Sequence, residues 1–196
     1  MDDDTYTILG CITKYNASDI RPYVESIEQT GYKGRKVMLV YDVPQETIDY
    51  LKSKGWDLFG GELQQHIILQ RFRDLYKILG SEIKGTVIWT DVKDVIFQVD
   101  PTNWIEHNME DDILSFSECI TFKDDPWACV NAGTSFPMEW EWLQNKTSYC
   151  AGTIVGDACY LRDLFIDIYR WSLTTANQGQ LSDQAAYNVL INLHHI

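Results

Sequence analysis

Basic residues are scarce. Sixteen Lys and Arg stand against 29 Asp and Glu, a formal net charge of −13 over 196 residues. Nucleic acids are gripped by clustered Lys and Arg, so this balance argues against nucleic acid as a partner, and against an anionic membrane surface. No Cys-x-x-Cys pair occurs, and the five cysteines (Cys11, Cys119, Cys129, Cys150, Cys159) are odd in number. That argues against a zinc site and a disulfide framework; reduced, mostly buried thiols are expected. No apolar run approaches the ~20 residues of a transmembrane helix. The start, Met1-Asp2-Asp3-Asp4, is the opposite of a basic signal peptide, so a cytoplasmic location is expected and the sequon Asn145-Lys146-Thr147 is read as chance. There are no repeats and no low-complexity linker. No Gly-x-Gly-x-x-Gly follows the first strand, which disfavours a dinucleotide oxidoreductase.

What is present suits one α/β domain, or a catalytic unit within a longer, multidomain chain. The first half alternates strands and helices. Tyr6 to Ile12, Lys36 to Tyr41, Trp56 to Phe59 and Thr86 to Trp89 read as strands. The second of these is continuously apolar, as in a strand buried on both faces. Between them, a helix capped by Ser18 or Asp19 ends at Gly31, a second runs from Pro44 to Gly55, and a third covers His66 to Leu79. This order predicts a mostly parallel central sheet flanked by helices. In the second half, Ile113 to Phe116 and Gly152 to Val155 read as strands, Leu161 to Trp171 as an amphipathic helix, and Ser182 as the cap of a last helix. The stretch from Glu118 to Tyr149 reads as irregular, the place for an acceptor-binding surface.

The sharpest chemical signal follows the fourth strand: Val87-Ile88-Trp89-Thr90-Asp91-Val92-Lys93-Asp94. Ligands of α/β sheets bind at the carboxyl ends of strands. Two carboxylates on such a turn can converge on one hard cation, Mn²⁺ or Mg²⁺, whose shell water and substrate phosphates complete. A solvated acidic turn has the same residues.

Three blocks in order resemble the GT-A glycosyltransferases, family 8-like enzymes above all, and the small glycosyltransferase domains of large DNA viruses. The first is Thr90-Asp91-Val92-Lys93-Asp94, similar to the family's metal-binding Asp-x-Asp (DXD) motif with one extra residue between the acids. The second, Tyr149-Cys150-Ala151-Gly152-Thr153-Ile154-Val155-Gly156, looks like its Asn-Ala-Gly strand beside the donor sugar, with Cys150 where the family has Asn. The third, Ser182-Asp183-Gln184-Ala185-Ala186-Tyr187-Asn188, looks like its Asp-Gln helix start. The resemblance implies a single GT-A domain over 1–196, with a Rossmann-like nucleotide-sugar-binding half at 1–100 and a sugar and acceptor half at 101–196. It implies a UDP-sugar donor, a hydroxyl on a carbohydrate or glycan acceptor, and Mn²⁺ (or Mg²⁺) on Asp91 and Asp94. In a chain this acidic, a diphosphate can be held only if a cation and a few placed basic groups offset the repulsion. If the chain is viral, the expected location is the host cytoplasm.

The resemblance also assigns a loop to the nucleotide: Thr13, Lys14 and Tyr15 after the first strand. Asp42, ending the second strand, has the chemistry to accept from a uracil N–H, and equally to cap the helix before Pro44. Ala151 and Gly152 would lie beside the donor sugar. Asp183 and Gln184 would orient that sugar, apart from the metal turn. Arg71 and Arg73 point about 200° apart on a helix, so at most one faces the ligand; Arg71 is favoured, and a surface salt bridge explains it equally. Asp157 and Glu118 are candidate bases for an acceptor hydroxyl. His194 or His195 is the candidate third metal ligand. Trp127, Trp140 and Trp142 have faces suited to stacking on sugars, or to filling a core. Two other readings stay open, a metal-dependent phosphohydrolase and a non-catalytic carbohydrate-binding module. The first is weakened because the first strand ends in Gly10-Cys11-Ile12-Thr13, without a carboxylate.

Overall fold

In the computed structural model, which describes residues 6–175 and 182–194, the strands are apolar on both faces because two cores sandwich them. From Tyr6–Thr13 (β1), Leu9 enters one core while Ile8 and Ile12 enter the other. Arg35–Tyr41 (β2) divides likewise, Val37, Leu39 and Tyr41 against Met38. So does Thr86–Thr90 (β4), Val87 and Trp89 against Ile88. Side chains alternate across a strand, so an unbroken apolar run requires cover on both sides.

The helices Ala17–Thr30 (α1), Gln45–Ser53 (α2) and Thr102–Asn108 (α4) cover one face through Ile20, Tyr23, Leu51 and Ile105. Ile67–Ile78 (α3), Pro126–Ser135 (α5), Ala158–Thr174 (α7) and Ser182–His194 (α8) cover the other through Phe72, Ala128, Phe165 and Tyr187. The short helix Trp140–Leu143 (α6) adds Leu143 to that core. With Asp57–Gly61 (β3), Ile113–Thr121 (β5) and Thr147–Asp157 (β6), the sheet order is β3-β2-β1-β4-β6-β5. The first four strands are parallel; β6 runs antiparallel to both β4 and β5. The mostly parallel, helix-flanked sheet expected from the sequence is the one observed. Among the described residues no helix is long and apolar enough to cross a membrane.

Three local expectations need correction. The cap of α1 is Asn16, not Ser18 or Asp19; those two lie in the first turn, and the Asp19 carboxylate accepts the Asn16 N–H at 2.8 Å. Residues 118–149 are not irregular: β5 runs on to Thr121, and α5 and α6 follow. Helix α4 was not anticipated. Both unforeseen longer helices begin at an Asp-Pro pair. Asp125 Oδ1 accepts from the N–H groups of Trp127 and Ala128, and Asp100 Oδ1 accepts from Thr102. In α5 the acid is the cap and proline takes the first helical position, a start signal, whereas in α4 the cap residue is Pro101 and Asp100 stands just before it. Helix α5 also lacks the polar stripe that would have revealed its period.

Trp89, Phe72 and Phe165 meet under the site, with ring centroids 5.2–6.1 Å apart. All three are fully buried. Phe165→Ala is expected to cost about 3–5 kcal/mol of stability, read from the midpoint of urea unfolding. A loss below ~1 kcal/mol would mean the cluster collapses around the gap.

Candidate active site

Four segments converge at the carboxyl edge of the sheet. At the end of β1, Lys14 takes a left-handed conformation (φ 57°), and its N–H reaches the carbonyl of Tyr41 at 3.3 Å. At the end of β2, Asp42 does the same (φ 51°). Non-glycine residues pay for this region in steric strain, which concentrates at functional loops. A cleft of roughly 520 Å³ opens beside them, lined by Thr13, Tyr15, Arg71, Asp91, Lys93 and Asp94, with Cys11 also on its wall. Asp42 lines a separate cavity against β3, with Phe59 and Gly60. The Lys93 ammonium lies 5.6 Å from the centre of the Tyr15 ring. Thr13 Oγ1 and Arg71 Nε are buried without a hydrogen-bond partner among the described residues. Burial pushes the Cys11 thiol up to about 12; Arg71 opposes the shift, and Asp91 and Asp74 add to it.

Arg71 is the hub. Its guanidinium donates to Asp91 Oδ1 at 2.9 Å and to Asp183 Oδ2 at 2.5 Å. It also sits 4.9 Å from the Phe72 ring centre and 5.4 Å from that of Trp89. Burial works against its charge, but the Asp183 and Asp91 carboxylates outweigh that and hold its pKa above the usual arginine value. The two ion pairs differ. The Asp183 side chain is 9% exposed and that of Asp91 42%, so the first is interior and the second faces the cleft. Arg73 turns away, to Asp74 at 3.2 Å and Gln64 at 3.4 Å, as their angular separation on the helix requires.

Strand β6 is antiparallel, so its first half passes beyond the end of β4 and meets the acidic turn. The Asp91 N–H donates to the Gly152 carbonyl at 2.7 Å. A Cβ on Gly152 would stand 2.3 Å from Asp91 Oδ2, so only glycine leaves that carboxylate its place. Ala151 is in the core, and its carbonyl accepts the Trp89 indole N–H at 3.1 Å. Burial raises the Cys150 thiol pKa, opposed by a backbone hydrogen bond at Gly152 and assisted by the Glu118 and Asp91 carboxylates.

Helix α8 is clasped to this edge at several points. Besides Asp183 on Arg71, the Asn188 side chain accepts from Tyr149 N–H at 2.9 Å and donates at 2.8 Å to the Tyr149 and Gln184 carbonyls. The Gln184 amide nitrogen lies 3.2 and 3.3 Å from the two carboxylate oxygens of Glu118, which also accepts from Ser148 Oγ at 2.7 Å. Of the two candidate bases, Glu118 thus joins the constellation and Asp157 does not. Asp157 pairs with Thr86 at the opposite end of β4 and caps α7 by accepting the Cys159 N–H at 2.8 Å. A carboxylate spent on a helix start at the far edge of the sheet cannot serve this cleft. Trp127 is 47% exposed, whereas Trp140 and Trp142 pack against the core.

A divalent cation fits what is here in a limited way. Asp91 keeps Oδ2 free of Arg71, and Asp94 is exposed and makes no hydrogen bond or ion pair among the described residues. No group of three or more His, Cys, Asp or Glu able to hold a metal occurs among those residues. Mg²⁺-type sites on nucleotides take one or two carboxylates and complete the shell with phosphate and water, so this pair suits a cation arriving with its phosphates. The side chain of His194 and all of His195 lie outside the described residues.

No protein-family model and no curated protein matches the chain. Among solved structures, it is similar to the glycosyltransferase GlyE in Streptococcus pneumoniae TIGR4, with a TM-score of 0.61 at 16% sequence identity. The likeness covers 94% of this chain and 42% of that one, so the chain spans under half the length of GlyE. It is a likeness of fold: the chain takes the fold of a glycosyltransferase.

Removing one partner of a buried pair leaves the other charge uncompensated, at about 3–5 kcal/mol. Arg71→Ala should therefore destabilise the protein by that amount, through Asp183 more than through Asp91. Arg71→Lys should recover only part, because an ammonium cannot fork to both carboxylates. Chemical denaturation of the two variants gives the comparison. Equal stability of parent and Arg71→Ala would contradict an interior ion pair.

Proposed function

We propose that the chain is a metal-dependent glycosyltransferase that moves a sugar from a nucleotide-diphosphate donor, UDP-linked, to a hydroxyl of a carbohydrate acceptor. The observation that carries this reading is the Arg71 fork. It draws the acidic turn and the Asp-Gln helix start to one cleft edge on a glycosyltransferase fold, the Arg71–Asp183 bond alone spanning 112 residues of sequence. Thr13, Lys14 and Tyr15 would take the nucleotide; Asp42, which lines the separate cavity against β3, is not assigned to it. Ala151, Gly152, Asp183 and Gln184 would flank the donor sugar.

Asp91 and Asp94 would hold Mn²⁺ or Mg²⁺, which when bound offsets diphosphate charge as the nucleotide departs. The protein's own share is positional. Arg71 fixes Asp91 in one rotamer and supplies a permanent positive charge near the leaving group. Gly152 keeps room for that rotamer. Asp183 is not confined to the sugar side, as its distance in sequence from the acidic turn implied, because it shares a guanidinium with Asp91. Its loss should be felt by donor and metal together.

Three measurements test the reading. UDP at ~100 times its Kd should raise the Tm by roughly 5–10 °C with Mn²⁺, and far less with a chelator. Asp91→Asn and Asp94→Asn should abolish most of that difference while staying folded. Equal shifts with and without metal would remove the cation from the scheme, and no shift from any nucleotide would favour a carbohydrate-binding module. Gly152→Ala should weaken Mn²⁺-dependent UDP binding by ~10-fold, the scale for disturbing a group that orients a metal ligand, as read by calorimetric titration. Asp183→Ala should lose transfer by ~10²-fold or more and, unlike a residue contacting only sugar, should also weaken UDP binding. Unchanged turnover would reduce Asp183 to a structural counter-ion.

A further inference from the structure

Glu118 sits where the β5–β6 ladder breaks. Register shifts occur on both sides of Ser117, and the residue after Glu118, Cys119, takes φ 57°. The irregularity leaves the Glu118 carboxylate bonded to fully buried Ser148 and to the Gln184 amide, across 66 residues of sequence. A carboxylate only accepts hydrogen bonds. The amide must therefore turn its NH₂ toward Glu118, and its oxygen lies at the other end. The backbone of Gln184 is tied as well, since its carbonyl accepts from Asn188. An otherwise free glutamine in a first helical turn thus has one orientation, and Asp183 beside it is on Arg71.

We propose that Glu118 is the positioning residue for Gln184, holding its amide so that the oxygen, not the NH₂, faces the donor sugar. This rests on the glycosyltransferase reading. An amide oxygen carries partial negative charge and gains in value as positive charge grows on the sugar ring; a flipped amide would present N–H and repel it. Glu118 then acts on the reaction through Gln184 and not as a base on the acceptor. The sequence shows no link between the two, because a strand irregularity and a tertiary contact make it.

Two arms test this. In ¹⁵N-edited NMR, the side-chain NH₂ pair of Gln184, assigned by its loss in Gln184→Ala, should be displaced from free glutamine in the parent and return toward it in Glu118→Gln. Glutamine there keeps the size but can donate or accept, so it no longer dictates the orientation. In donor kinetics, Glu118→Gln should lower kcat by about tenfold or more, the scale of a hydrogen bond to a charged group, with KM within ~2-fold and an unchanged Tm. On a Gln184→Ala background the same substitution should cost nothing further. Additive losses would place Glu118 on the acceptor and overturn the proposal, as would an amide signal that does not move. A parent that transfers no sugar from any nucleotide donor would overturn the functional reading itself, while the amide signal still reports whether Gln184 is held.

Discussion

One guanidinium holds this site together. Arg71 projects from α3 and bonds one carboxylate in the turn after β4, Asp91, and one at the start of α8, Asp183. In a chain of net charge −13, Asp91 and Asp183 would repel one another without it. Its planar fork addresses two carboxylates at once, which an ammonium cannot do. Burying the charge is costly, and the aromatic faces of Phe72 and Trp89 recover part of that cost as cation–π contacts. The same ion pair is thus a structural tie and the source of a fixed positive charge where, in the proposed function, a diphosphate would be received.

The rest of the edge is shaped to serve that tie. Antiparallel β6 carries Gly152 to the side of Asp91, and the missing side chain is what allows the carboxylate its rotamer. Asn188 uses its whole amide on the Tyr149 and Gln184 backbone, so α8 cannot slide relative to β6. Tyr187 adds a 2.6 Å hydrogen bond to Ser115 on β5. With Asp183 and Gln184 anchored as well, the start of α8 is over-determined, which is what a preorganised site requires.

The strands were legible because two-sided burial writes an unbroken apolar run, and the acidic turn because carboxylates at a strand's end have a recognised chemistry. That Arg71 and Arg73 point apart followed from helical angles; which of the two faces the cleft did not. The two Asp-Pro helix starts were also legible in principle, but the tryptophans around them drew the reading toward an irregular surface. Asp157 misled for a topological reason: β6 runs antiparallel, so its last residue lies at the far edge of the sheet, away from the cleft. The pairings of Arg71 with Asp183 and of Glu118 with Gln184 span 112 and 66 residues, and no local pattern in either segment announces them.

The proposed function requires one cleft edge to receive nucleotide and cation together. Mn²⁺ is paramagnetic and broadens backbone amide resonances near it, so its position can be mapped directly on the protein. With UDP present, Mn²⁺ should broaden Asp91, Val92, Lys93, Asp94 and Gly152 first and the start of α8 next, while Asp157 stays sharp; without UDP the effect should be much weaker. Broadening spread over the acidic surface, or centred away from Asp91 whether or not UDP is present, would contradict the account.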